Sequence, residues 1–183
     1  MKLATRLALT TTALATAAVG TLSGVAVAQA PAAQPARAAA AVPPALTVPD
    51  GNRLTATLSA VGAQIYTCTD GAWTFLEPAA TLWAKNDPSR IPVAIHLRGP
   101  IWVSTADGSS VSASAVASSP KNGAIPELLL KATATSGTGV FAGVSYVQRL
   151  DTTGGVAPTT ACTTGQRASV PYSATYTFYK PAK

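Results

Sequence analysis

Val170-Pro171-Tyr172-Ser173-Ala174-Thr175-Tyr176-Thr177-Phe178 is the stretch that decides the fold. Apolar and aromatic side chains fall on every second position, with Ser173, Thr175 and Thr177 between them from Tyr172 onward. A period of two is the signature of a strand that buries one face and wets the other. The same pattern opens at Leu54, Ala56 and Leu58, which alternate with Thr55 and Thr57.

Working outward, short runs of similar character occupy 63–68, 72–77, 80–84, 93–97, 101–105, 110–117 and 139–150. Each is bounded by turn chemistry: Asp70-Gly71, Asn86-Asp87-Pro88, Gly99-Pro100, Asp107-Gly108, Lys121-Asn122-Gly123 and Gly154-Gly155. Gly and Asn accept positive φ, and Pro fixes φ while removing a donor. So many strands at regular spacing predict an all-β domain, a β-sandwich or a small barrel. Only one place admits a helix, Pro126-Glu127-Leu128-Leu129-Leu130-Lys131, where Pro stands at a first helical position before a continuous apolar run.

The chain has 183 residues, of which 11% are charged, against about 25% in an ordinary soluble domain. Part of the deficit belongs to the amino terminus. Lys2 and Arg6 precede an apolar Ala/Leu/Thr/Val stretch from Leu7 to Val25, followed by small residues at Ala26-Val27-Ala28, which predicts a secretory signal peptide over 1–28 cut after Ala28. Ala30 is the second choice, because Pro31 would follow that cut. Residues 29–42 are almost all Ala and Pro, a solvated linker, so the single β-rich domain is expected over 43–183. No later segment has 18 consecutive apolar residues, and no membrane span is expected after signal removal.

Loss of Lys2 and Arg6 leaves 11 basic groups against 7 acidic ones, without a run of either sign. Such scattered charge offers no phosphate-tracking groove, and nucleic acid is excluded as a partner class. Export also bears on Cys68 and Cys162, the only two cysteines. An even count in an oxidising compartment, without CxxC spacing, predicts that they form one structural disulfide.

A lone histidine, His96, removes every metal site built on two or three imidazoles, so no metal and no cofactor are expected. No GxSxG elbow nominates a serine. Asp50, Asp70, Asp107 and Asp151 stand at turns, where a carboxylate commonly caps its own loop. Trp73, Trp83 and Trp102 offer surface for sugar rings, but Trp73 and Trp102 sit in apolar strands, where packing is the commoner role.

The ordered motifs Val42-Pro43-Pro44, Gly62-Ala63-Gln64-Ile65-Tyr66-Thr67-Cys68, Pro78-Ala79-Ala80-Thr81-Leu82, His96-Leu97-Arg98-Gly99-Pro100-Ile101-Trp102, Ile125-Pro126-Glu127-Leu128-Leu129-Leu130, Val147-Gln148-Arg149 and Gly154-Gly155-Val156-Ala157-Pro158 are similar to those of a known family. It is one of small secreted bacterial and fungal proteins that carry an uncharacterised domain of unknown function. The resemblance covers nearly all of 42–179. It implies a secreted, β-rich, disulfide-linked domain without an established activity. The family places an aromatic after the histidine, where Leu97 stands, and another where Glu127 stands, so an aromatic-lined groove would be thinner here. An oxidoreductase label attached to some fungal relatives meets no nucleotide fingerprint in this chain.

The functional expectation is an extracellular, non-catalytic binding or structural module. Its recognition end would lie at 96–102 and 152–162, with Gln64, Tyr66, Trp102 and Arg149 as binding residues and an envelope or polysaccharide component as the partner to test first. One alternative is a hydrolase in which His96 is the general base and Gln64, Gln148 or Arg149 polarises the substrate. Another is a self-associating surface protein, because Thr/Ser-rich strands carry few charges to guard their edges.

Overall fold

A computed structural model describes residues 41–183. The predicted signal peptide, its cut after Ala28 and nearly all of the linker lie outside the described residues. Eight antiparallel strands follow one another: β1 Asn52–Thr69, β2 Ala72–Ala84, β3 Ala94–Leu97, β4 Ile101–Ser104, β5 Ser110–Ser119, β6 Glu127–Ser136, β7 Tyr146–Gly154 and β8 Arg167–Pro181. Each pairs with its sequence neighbours, and β8 returns to pair with β1, closing the sheet into an up-and-down barrel. Closure gives every strand two neighbours, so little sheet edge is left for charges to guard. Of the two expected architectures, β-sandwich or small barrel, the chain adopts the barrel.

Closure requires bending, and the bends are visible as register shifts at Leu54/Ala56, Ile65/Tyr66, Ser112/Ala113, Ala115/Ala117 and Leu150/Thr153. An extra residue on one strand kinks it and tightens the local twist. Gly62 marks the closest approach of strands: a Cβ there would collide with the backbone of Ala79 and Ala80 on β2.

The alternation of 172–178 works as expected. Tyr172, Ala174, Tyr176 and Phe178 are buried inside the barrel with Leu58, Leu82, Trp102, Val111, Leu130, Phe141 and Val147. Thr and Ser dominate the outer positions of the same strands, the reverse of the pattern of a barrel that spans a membrane.

Among the described residues there is no α-helix; the single helical turn is a 3-10 turn at Pro44–Leu46. Glu127–Lys131, where a helix was admissible, belongs to β6. Leu128 and Leu130 face the interior, while Leu129 points outward yet is buried outside the main core, as is Leu46. The amino-terminal strap packs its 3-10 turn across β5 and β6, so this strand has apolar contacts on both faces. That double coverage removes the alternation a half-exposed strand would show.

The two ends of the barrel differ. One carries the β2–β3, β4–β5 and β6–β7 connections and is plugged by Phe141, whose ring lies 4.7 Å from that of Phe178. The other carries the β1–β2, β3–β4, β5–β6 and β7–β8 connections and is open. The Cys68–Cys162 disulfide, with Cα atoms 5.9 Å apart, ties the long β7–β8 loop to the end of β1 at this open end.

Candidate functional site

Local sequence explains why the open end is a mouth. β3 and β4 are four residues each, so the wall is low on that side. β3 pairs with β2 only at Ala80–Leu82, and Pro78, which has no N–H to offer a neighbour, lies just beyond that pairing. Between β3 and β4 the chain reverses at Arg98-Gly99-Pro100, with Gly99 at φ 86°, a left-handed conformation that suits glycine. The result is a cavity of about 300 Å³ between the barrel wall and the loops at 99–100 and 125–126. It is at the small end of ligand pockets.

Of the six residues singled out for binding or catalysis, Gln64, Tyr66, His96, Trp102 and Arg149 line this cavity and Gln148 does not. They come from four strands, and each faces inward by alternation. His96 and Trp102 are direct cross-strand partners, and Arg149 on β7 pairs with Tyr176 on β8. The remaining wall is largely apolar and includes Phe75, Pro78, Pro100, Ile125, Leu128 and Leu130.

Inside the cavity His96 is fixed from several sides. Its ring stacks on Trp102 with centroids 4.3 Å apart, and the edges of both rings meet Tyr176 at 5.3 Å. Nδ1 lies 3.0 Å from the Ile101 carbonyl. A carbonyl only accepts, so in the neutral ring Nδ1 carries the proton and Nε2 is the acceptor. Burial, with a further contribution from the Arg149 charge, lowers the His96 pKa to about 4, and the imidazole is neutral at physiological pH.

Among the described residues, Arg149 provides the only formal charge in the lining. Its Nε and Nη2 donate to the Pro126 carbonyl at 3.1 and 2.8 Å. The ion pairs among the described residues are Lys85–Asp151, Arg98–Glu77 and Lys121–Glu127, so no carboxylate answers Arg149. Burial raises the pKa of Tyr66 and of Tyr176, and Arg149 partly offsets it in both, which keeps them as neutral phenols.

Tyr66 donates to the Gly155 carbonyl at 2.6 Å, holding the β7–β8 loop against the mouth. Two other donors have no such outlet. Gln64 and Trp102 are only 2% and 1% exposed, and neither Gln64 Nε2 nor Trp102 Nε1 has a hydrogen-bond partner among the described residues. A buried donor left unsatisfied costs about 1–3 kcal/mol, and such groups are uncommon in native structures.

Other sequence expectations resolve differently. Gln148 does not join the site: it faces the outside of the barrel, donating to the Leu46 carbonyl and accepting from Thr177 and Tyr179. Neither remaining tryptophan reaches the cavity. Trp73 donates to the Thr160 carbonyl on the outer surface, and Trp83 lies under the Arg90 guanidinium. Asp107 is a loop cap as expected, accepting from Ser109 and Val140. Sequence reasoning passed over Tyr176, Leu128 and Leu130 as cavity walls, although Tyr176 shares the inward phase of Phe178.

No curated protein and no solved structure matches the chain. A family model does match, described as Protein of unknown function (DUF3455), over residues 49–180. That span contains every strand core and every residue of the cavity wall, and the chain belongs to this family.

Proposed function

We propose that this is an exported, non-catalytic binding module that takes one small molecule into the open mouth of its barrel. The observation that carries the reading is the pair of buried, unpartnered donors, Gln64 Nε2 and Trp102 Nε1, in the wall of a largely apolar cavity. Donors that meet no acceptor among the described residues are matched by a ligand that brings one. At about 30 Å³ per water, the 300 Å³ cavity has the volume of some ten waters. A single ring-sized molecule fits that space, and a glycan chain would enter only by its end. The Trp102 face is covered by His96, so the stacking platform a polysaccharide would use is absent from the cavity. Export rests on the Lys2/Arg6-led apolar segment and agrees with the disulfide.

The hydrolase alternative draws less from the same geometry. His96 makes its hydrogen bond to a backbone carbonyl, and at a pKa of about 4 its Nε2 is a weak base for activating a hydroxyl or water.

A screen of small ring compounds by thermal shift tests the binding reading. A ligand at 100 times its Kd adds about 2.7 kcal/mol of stability, roughly 10 °C in Tm for a domain of this size. Leu128→Trp, which fills the mouth, should abolish the shift while leaving the unliganded Tm high. If no compound stabilises the wild-type protein, or the blocked variant responds equally, the cavity is not a binding site.

A further inference from the structure

We propose that the ligand of this cavity is a small monocarboxylate with an apolar ring or short chain, anchored by its carboxylate on Arg149. The inference rests on the binding reading above and adds the chemical class.

Three observations lead to it. First, the charge is one-sided: Arg149 is half-buried in the wall and has no carboxylate partner among the described residues, whereas the cation at the rim, Arg98, is already paired with Glu77 at 3.1 Å. An arginine is charged at all accessible pH, and an apolar cavity screens it less than water does. Second, two buried donors near it lack partners among the described residues, beside the acceptors His96 Nε2 and Gln64 Oε1. Gln64 Nε2 and Trp102 Nε1 are unpartnered, and both can only donate. A carboxylate has two oxygens with about four acceptor positions, so it can answer Arg149 and these donors together. An ammonium group would meet the like charge of Arg149 instead. Third, the rest of the wall is apolar, formed by Ile125, Leu128, Leu130 and Pro100 among others, and small. It suits a hydrocarbon body of one ring and leaves little to bind a second charge or a row of hydroxyls.

Neutral His96 fits the same picture. Its charged form would add a second cation, but burial and Arg149 hold the ring unprotonated, so one positive charge faces one negative one.

The test uses isosteric probes on the wild-type protein: benzoate, benzamide and benzylamine, titrated by calorimetry and followed in 1H–15N spectra. Benzoate should bind at least tenfold more tightly than benzamide, benzylamine should not bind, and the Trp102 indole N–H and Arg149 Nε–H signals should move on benzoate addition. Arg149→Gln should bring benzoate down to the benzamide level, and Arg149→Lys should restore part of the preference. Equal binding of benzoate and benzamide in the wild type overturns the carboxylate assignment while leaving the binding site standing. Absence of binding by all three, together with a failed ring-compound screen, overturns the site itself. Because the decisive comparison is made on the unmodified protein, it does not depend on the Arg149 variants folding.

Discussion

His96 and Trp102 face each other across β3 and β4 with their rings 2° from parallel and 4.3 Å apart, buried beside Tyr176. The pair makes the one histidine of the chain an acid sensor of stability. An unfolded imidazole titrates near 6.5, whereas the folded one is held at about 4. Between those values the unfolded chain binds the extra proton, so this contribution is fully present above about pH 6.5 and is lost as pH falls toward 4. The loss amounts to about 3 kcal/mol. Denaturant unfolding at pH 7, 5.5 and 4.5 should show it, and His96→Phe, which keeps the stack, should be flat over the same window. A wild-type protein equally stable at pH 7 and 4.5 would show that the ring is not buried as described.

The disulfide should matter for both stability and the mouth. Cys68 and Cys162 are separated by 94 positions, and closing so long a loop restricts the unfolded chain. The chain-entropy account gives about 4 to 5 kcal/mol as an upper figure. Cys162→Ala paired with Cys68→Ala should lower Tm by several degrees at the least. Proteolysis should then cut first within 155–166, the loop that the disulfide and the Tyr66–Gly155 hydrogen bond pin to the barrel. Cleavage appearing first elsewhere would show that the loop is held by other contacts.

Much of this architecture was readable in the sequence, and the failures have physical causes. The strand at 170–178 was legible because one face is apolar core and the other carries Ser173, Thr175 and Thr177. The apolar run Leu128-Leu129-Leu130 was ambiguous because Leu129 is covered from outside by the strap while its neighbours face inward. Sandwich and barrel were not separable, since closure rests on β1 meeting β8 across most of the chain length and leaves no local mark. The His96–Trp102 pairing was within reach, six positions apart around Gly99-Pro100. Bringing Arg149 to Gln64 was not, because their shared cavity depends on the circuit of the barrel. Gln148 and Arg149 illustrate the cost of ignoring strand phase: adjacent residues cannot both face the same interior.

The amino-terminal strap is a structural part of the barrel. Leu46 is fully buried against β5 and β6, and its carbonyl accepts from Gln148 Nε2 at 2.7 Å. Leu46→Ala should cost about 2–4 kcal/mol, the range for a buried leucine whose site cannot collapse fully. The outward Leu129 and the Gln148 side chain would become wet, so hydrogen exchange in β6 and β7 should quicken relative to β1. A change below about 0.5 kcal/mol would mean that the strap adds no stability.

At the opposite end from the mouth, Asp107 holds the plug. One carboxylate oxygen accepts from Ser109 N–H at 2.8 Å and the other from Val140 N–H at 2.9 Å, while Ser109 Oγ accepts from Phe141 N–H at 3.0 Å. The Ser109 hydroxyl, followed by the Val140 and Ser109 N–H groups, lowers the Asp107 pKa to about 2, and the next loop accommodates the carboxylate because Gly139 has no Cβ to collide with it. An aspartate with a depressed folded pKa stabilises above its unfolded value near 3.8, and that stability is lost as pH falls from there toward 2. The acid loss from Asp107 therefore begins where that from His96 ends. Asp107→Asn keeps the shape but presents an amide donor to one of two N–H groups, so Phe141 should loosen. Binding of a hydrophobic dye to the barrel end, with little change in ligand uptake at the mouth, is the expected readout. Dye binding unchanged from wild type would mean that Phe141 stays seated through its packing on Phe178 alone, and the clamp would lose its role.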